Sequence, residues 1–397
     1  MEISNFLKQK ISSQNWKTPF YYYDFNIVEK NFRDLENSLS NRFKIFYSMK
    51  SNPHHGILTK LKSLGCLLDI SSIGELDRAL AAGFTGKEIS FVGPGKSQEE
   101  LIACVTNNIE YTVIESIQEL ESFAAIAKNY DKIKKVCLRI NPATYYHPGG
   151  AARNMSPVHF GIDETEVLNA KVIFDKNKHI VLAGLHFYLQ SQFLDAAVIV
   201  ANFKSFISCA VKLEAGFNTK FEMINFGGGF GIPYFQGQNK LDLSLLKDEI
   251  QALLKSEESS SLKDTLFFVE SGRFLSGPAG FFVTKVLYTK KSYGKNYAVC
   301  DGGITQHQAA VGIGQILRRN FPIRAVKMKE DSKTNEVVTI VGPSCYSIDI
   351  LGSDVELPQL MPGDAVVIEQ SGAYGPTFSP ENFLSRPKAN EYTNESE

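Results

Sequence analysis

The chain has 397 residues, 43% of them apolar and 21% charged, with a formal net charge of −1. That length exceeds one ordinary domain, so two domains with a large core are expected. The near-neutral balance, without a long basic block, excludes a protein that tracks nucleic acid and one that clings to a strongly charged membrane surface.

The first twenty residues, Met1 to Phe20, lack an apolar core of signal-peptide length, and no segment is expected to reach the ~20 apolar residues of a membrane span. Six cysteines (Cys66, Cys104, Cys137, Cys209, Cys300, Cys345) are scattered without a CxxC pair. Five lie in apolar, periodic surroundings and read as small core residues, so a reducing, cytoplasmic setting is expected. The seven histidines show no HxxxH or HExxH spacing, and no metal is expected.

In chain order, apolar runs predict strands at Phe20–Tyr23, Phe43–Met49, Leu67–Ile70, Ile89–Val92, Tyr111–Ile114, Lys135–Ile140, Leu182–Phe187, Met223–Phe226 and Leu266–Glu270. Between them lie helical patterns, such as Gly74–Phe84 and Ile117–Tyr130, with apolar residues at the 3–4 spacing of one buried face. Strand–helix alternation implies a parallel sheet, and about eight such units over ~250 residues predict a (β/α)8 barrel. Beyond Gly272 the pattern turns to β, with strands expected at Phe281–Tyr288, Tyr297–Cys300, Val337–Val341 and Ala365–Glu369. The polar residues from about Lys388 onward are expected to fray. The expected division is a barrel over residues 25–275, with residues 1–24 and 276–397 forming a β-rich domain.

Barrel active sites lie at the C-terminal ends of the strands. Lys50, Asp69, Arg139, His186, Asn225 and Glu270 all fall at such ends, which argues for one shared pocket. Lys50 follows an apolar run and precedes the turn signal Ser51-Asn52-Pro53. Burial there would lower its pKa toward the neutral amine that carbonyl chemistry needs; a strand cap snorkelling to water is the blander reading. Gly227-Gly228-Gly229-Phe230-Gly231 follows a strand, where bare backbone N–H groups can meet a phosphate or simply turn the chain. Glu270 and Arg273, in Glu270-Ser271-Gly272-Arg273, read either as ligand-holding groups or as an internal ion pair. His186 ends another strand, with Ser191 and Gln192 nearby as possible phosphate donors. Cys345 follows a Gly-Pro turn and precedes polar residues, so it should be accessible, and Tyr374 stands between small residues with its phenol presented.

The ordered motifs YSMKSNP, LDISSIGEL, RINP, HFGID, GLHF…SQ, NFGGGFGIPY, ESGRFL, CDGG, GPSCYSIDIL and SGAYG span about Thr18 to Pro387. The set resembles the fold-type III pyridoxal-phosphate decarboxylases, the group of ornithine and diaminopimelate decarboxylases. The resemblance implies an alanine-racemase-like (β/α)8 barrel plus a C-terminal β-sandwich or barrel domain. It implies that Lys50 bonds covalently to pyridoxal 5'-phosphate, that His186 stacks on its ring and that Glu270 holds its pyridine nitrogen protonated. Phosphate would fall to Gly227, Gly228, Gly229, Arg273 and Tyr374, with Ser191 a weaker candidate. Asp69 and Arg139 match family positions near the cofactor. Cys345, as proton donor, would come from the partner subunit of a homodimer with shared sites.

Departures from the pattern narrow the substrate. Diamine-producing members carry an acidic residue directly after the cysteine, and here that position is Tyr346. HFYLQSQ is two residues longer than the usual HVGSQ, and His159 replaces a lysine common in diaminopimelate enzymes. FVGPGKSQEEL, ESGRFL, CDGG and FSPENFLSRP are more similar to a subgroup from secondary metabolism. It includes a glutamyl-carrier-protein decarboxylase and a siderophore-pathway decarboxylase of citryl-diaminopropionate. An amino acid or conjugate, free or bound to an acyl-carrier protein, is therefore the expected substrate, contacted by Arg273, Tyr346 and Tyr374. The loop from His147 to Pro157 is expected to border the entrance. Diaminopimelate, ornithine or lysine decarboxylation, and a non-catalytic cofactor-binding homologue, are the alternatives.

Overall fold

The computed structural model describes residues 3–395 except 14, 148–150, 189, 236, 257–259, 313–318 and 330–333. The chain divides into two compact units: Glu29–Ile232 with Lys240–Gly272, and Met1–Val28 with Pro233–Asn239 and Arg273–Glu397. The excursion of Pro233–Asn239 into the second unit had no signal in the sequence pattern.

The first unit is a closed barrel. Eight parallel strands, Phe43–Ser48, Leu67–Ile70, Ile89–Phe91, Tyr111–Ile114, Lys134–Asn141, Ile180–Phe187, Met223–Asn225 and Leu266–Ser271, follow one another round it. The last pairs with the first, Phe267 opposite Phe43 and Ser271 opposite Tyr47. A two-residue strand, Ile162–Asp163, adds beside Ile140–Asn141. Several helices start where a serine follows a strand with glutamate three residues on. Ser72, Ser97 and Ser116 each accept a hydrogen bond from the backbone of Glu75, Glu100 and Glu119, satisfying N–H groups that would otherwise be orphaned. Inside the barrel Phe46 and Phe268 stack at 5.0 Å among Val113, Cys137, Ala183 and Met223. This apolar plug fills the interior and leaves polar side chains to the strand ends.

Register then sets which of those residues meet. Arg139 is opposite His186, and His186 opposite Asn225. Asp69 is opposite both Ser48 and Ser90. In-register side chains of neighbouring parallel strands point the same way, so these rows face one another's neighbours across the same interior. The helix Ala196–Phe217 corrects one expectation: it is 22 residues long and apolar enough by composition to cross a membrane. It is mostly buried, and its phenylalanines pack on the barrel, with Phe206 stacked on Phe187 at 4.5 Å.

The second unit is built on a mixed sheet in the order Ile323–Val326, Ala365–Ile368, Gly280–Ser292, Lys295–Cys300, Asn335–Val341, Ile350–Pro358. Phe20–Tyr23, within the residues 1–24 expected outside the barrel, pairs antiparallel with Gly280–Val283 here. The tail beyond Lys388 is a strand rather than frayed: Asn390–Thr393 pairs parallel with Phe20–Tyr23. Its ordering comes from Tyr392, whose ring stacks on Trp16 at 4.6 Å, and from backbone bonds to an otherwise open strand edge. Strands Ile323–Val326 and Ile350–Pro358 were also not foreseen. Trp16, Phe20, Phe281, Val283 and Val367 form this unit's core.

Candidate active site

Lys50 is one turn beyond its strand, on a 3-10 turn over Met49–Ser51. Ser51 Oγ donates to the Ser48 carbonyl at 2.9 Å, and the buried Tyr47 hydroxyl donates to the Asn52 carbonyl at 2.9 Å, fixing that turn. The side chain of Lys50 is exposed. Of the two readings of this residue, the structure shows the one in which the amine reaches water. Its amine lies 5.9 Å from the ring centre of Tyr188. Asp69, on the neighbouring strand, is 2% exposed, with neither carboxylate oxygen in a well-formed hydrogen bond. Burial, with the Glu270 charge, pushes its carboxyl well above the usual range, and Lys50 opposes them.

Glu270 is 3% exposed. His186 Nε2 meets its Oε1 at 2.8 Å, and Asn225 Nδ2 donates to the same oxygen at 2.9 Å. Asn225 Oδ1 in turn accepts from the Gly227 N–H at 2.9 Å, and Glu270 N–H donates to the Gly227 carbonyl at 2.8 Å. The carboxylate is thus tied to the start of the glycine loop. Burial works against its charge, yet His186, Lys50 and Arg139 hold it ionised, well below the usual carboxylate range. Two donors converge on Oε1, an arrangement suited to offering the other oxygen to a ligand.

The glycine loop is shaped by close approach. Gly227 has φ +69°, and a Cβ there would stand 2.2 Å from the Phe187 carbonyl oxygen. Gly229 has φ +128°, and its Cβ would meet the Phe193 ring at 2.8 Å. Gly228 lies beside the Glu270 carbonyl. Gln192, expected near phosphate, instead bonds through its side-chain amide to the backbone of Ile232, with Ile232 N–H donating back at 3.2 Å. Ser191 is exposed.

Arg139 is committed to Glu115, with Nη1 3.1 Å from each carboxylate oxygen. Its guanidinium lies 4.6 Å from the Phe160 ring centre and 5.6 Å from that of Tyr188. Glu115 also accepts from the Gly93 and Gly161 backbone N–H groups, at 2.9 and 3.1 Å. Behind it, a buried pair joins Lys96 to Glu119 at 2.7 Å. Glu115 was missed in the sequence, although it carries the signal that exposed Glu270: a carboxylate directly after a short apolar strand.

In the second unit, Arg273 Nη1 donates to the Tyr234 hydroxyl at 2.7 Å, and the guanidinium lies 4.8 Å from the Tyr374 ring centre. Its Nε is buried without a partner. Tyr374 is half-buried with φ +57°, an unusual conformation for a side chain of that size. Tyr234 had no role in the sequence reading; burial raises its phenol above the ordinary value. Cys345 is exposed while the other five thiols are buried, as the surroundings of each implied. Tyr346 is 47% exposed and packs edge-on against Phe383. In the loop from His147 to Pro157, Ala152–Asn154 pairs antiparallel with Thr144–Tyr146 just before it, and residues 148–150 lie outside the described residues.

These features fit a phosphorylated pyridine aldehyde. Orphaned buried polar atoms, both oxygens of Asp69 and Nδ1 of His186, stand at the barrel's strand ends with a charged carboxylate. The glycine loop lies against Phe187 and Phe193 too closely for a side chain at Gly227 or Gly229, which leaves its backbone bare at the strand ends.

Residues 26–277 match the family model for the pyridoxal-binding domain of pyridoxal-dependent decarboxylases. The chain is 34% identical to the L-glutamyl-(BtrI acyl-carrier protein) decarboxylase of Niallia circulans, over 94% of this chain and 88% of that protein. It is 29% identical to the 2-((L-alanin-3-ylcarbamoyl)methyl)-2-hydroxybutanedioate decarboxylase of Staphylococcus aureus, over 96% of this chain and 94% of the other. Among solved structures, diaminopimelate decarboxylase from Helicobacter pylori complexed with L-lysine superposes with a TM-score of 0.85 at 29% identity, covering 98% of this chain and 94% of that one.

Proposed function

This chain belongs to the pyridoxal-dependent decarboxylases, carboxy-lyases that use pyridoxal phosphate, and from that premise we propose a substrate and a set of residue roles. The substrate is an amino acid whose distal end is acylated, held on a carrier protein or joined to a larger acid, and it loses its α-carboxylate. Tyr346 carries this reading. A distal ammonium desolvated beside Cys345 would need a carboxylate partner, and a half-exposed phenol offers none. The names of two relatives point the same way, one acting on carrier-bound glutamate and one on an alanine joined through an amide to a hydroxybutanedioate.

Pyridoxal phosphate, when bound, supplies an electron sink for the pair released as carbon dioxide leaves. Lys50 supplies the amine that holds it, on an accessible turn where a substrate amine can take its place. Glu270 stays ionised to keep a ring nitrogen protonated, and His186 and Asn225 hold that carboxylate in position. The N–H groups of Gly228 and Gly229 are assigned to phosphate, as are Arg273 and Tyr374, with Ser191 a weaker contributor; Gly227, expected there as well, gives its own N–H to Asn225 and shapes the loop instead. Arg273 and Tyr374 are also the proposed contacts for substrate carboxylate. Asp69 and Arg139 tune the charge at the barrel's strand ends. Cys345 donates, from Sγ, the proton that replaces the lost carboxylate, and does so in the site of the partner subunit of a homodimer. Its exposed, free thiol, with five others reduced and buried, suits the cytoplasm.

Carbon dioxide release from free, amide-linked and carrier-bound amino acids tests the reading. Acylated or carrier-bound substrates should be turned over with kcat/KM at least tenfold above lysine, ornithine and diaminopimelate, a difference of about 1.4 kcal/mol. Diaminopimelate as the best substrate would transfer the chain to the alternative assignment.

A further inference from the structure

The loop that presents Cys345 has a fixed root. Asp349, 3% exposed, accepts from the Ile304 N–H at 2.7 Å and the Ser344 N–H at 3.1 Å. Its backbone N–H donates to the Tyr346 carbonyl, and its carbonyl accepts from Gly342 N–H, both at 3.0 Å. Gly303 and Gly342 make room for this acid, since a Cβ on either would stand 2.4 or 2.3 Å from its carboxylate oxygen. The tip between these bonds, Cys345-Tyr346, is exposed. Two contacts brace it from a separate segment, residues 376–387. Arg386 Nη2 donates to the Pro343 carbonyl at 2.7 Å, and the Phe383 ring meets Tyr346 at 6.0 Å and 65°.

That segment is itself anchored. The Gln308 N–H donates to Ser379 Oγ at 2.9 Å, and Gln306 Nε2 donates to the Pro387 carbonyl at 2.8 Å. Leu384 and Ser385 both take left-handed φ values, +58° and +50°. Two consecutive side-chain-bearing residues in that region are costly, and the turn they make separates Phe383 from Arg386 so that both reach the same loop. A half-buried guanidinium spent on one backbone carbonyl, next to an exposed thiol, has no role in the chemistry assigned above.

We propose that Arg386, together with Phe383, is a positioning residue for Cys345: it fixes the loop tip so that the thiol and Tyr346 keep one orientation toward substrate. The inference rests on the reading of Cys345 as proton donor. Because Cys345 is the exposed thiol among six, its alkylation by iodoacetamide reports on the loop without requiring turnover. In the holoenzyme, Arg386→Met should speed Cys345 alkylation about tenfold, the change expected for losing one charge-assisted hydrogen bond. It should lower kcat similarly while KM stays within about twofold. Arg386→Lys, which keeps a donor, should recover most of both. Phe383→Ala should act in the same direction and serves if Arg386→Met does not fold. Alkylation at the wild-type rate in folded Arg386→Met or Phe383→Ala protein overturns the inference. Full decarboxylation by Cys345→Ala would instead overturn the proton-donor reading, and the alkylation result would still decide what Arg386 does to the loop.

Discussion

In the barrel, Glu270 is 3% exposed, with His186 and Asn225 both within 2.9 Å of one oxygen and the Gly227 backbone tied to its own. Cys345, in the other unit, stands exposed at the tip of a loop braced by Arg386 and Phe383. The first arrangement rests on strands in register and tolerates little change. The second rests on side chains from a distant segment and can be altered without disturbing the sheet. Loss of the carboxylate is assigned to the first kind of structure, and the proton that replaces it, together with substrate choice, to the second. A family can vary what it acts on while the barrel stays as it is.

The largest effect should come from the barrel side. Glu270→Gln removes the charge while preserving size, and decarboxylation should fall by about 10²–10⁴-fold, the range for a positioned acid–base group. Asn225→Ala leaves Glu270 charged but frees one bond on Oε1, and a loss of about tenfold is expected, measured as kcat. Comparable losses for the two variants would mean that Asn225 does more than position.

On the loop side, Tyr346→Glu should leave the fold intact and shift selectivity. The ratio of kcat/KM for lysine or ornithine to that for an acylated substrate should rise about tenfold, since a carboxylate is offered to a distal ammonium. An unchanged ratio would remove Tyr346 as the determinant.

Stability gives the smallest effect and separates the regions once more. Asp69 has its folded carboxyl pushed up by burial, so the folded state binds the proton more tightly than the unfolded one. Its cost is absent below the unfolded carboxylate value and grows as pH rises through the raised folded value. Asp69→Asn should therefore stabilise the cofactor-free protein by about 1–3 kcal/mol at pH 8, with the gain shrinking toward pH 4. Denaturant unfolding at the two pH values measures it. Glu270 has the opposite sign, its folded value being lowered, and its contribution is present at neutral pH and lost as pH falls into the acid range.

The same division explains what could be read from the sequence. Barrel strands and the residues at their ends announce themselves locally, because a short apolar run must stop where a charge begins. Lys50, Asp69, Arg139, His186 and Glu270 all stand out that way. Asn225 was placed at a strand end but given no role, since its two bonds reach Gly227 and, 45 positions away, Glu270. Asp349 and Tyr234 carry no local signal either, because Ile304 and Arg273, their partners, lie 45 and 39 residues off. The strand Asn390–Thr393 reads as polar tail, and its order depends on Trp16 and Phe20–Tyr23 at the other end of the chain. For Lys50 the apolar neighbours leave burial and exposure both open, and the 3-10 turn decides it by carrying the side chain past them.

The central claim is that Lys50 and Cys345, from regions built so differently, serve one site contributed by two subunits. Mixing Lys50→Ala with Cys345→Ala protein under conditions of proven subunit exchange tests it directly. Each variant alone should be nearly inactive, and random mixing should restore about a quarter of wild-type activity, because half the dimers then hold one intact site of two. Mixtures that stay as inactive as the parents, despite exchange, would contradict the account.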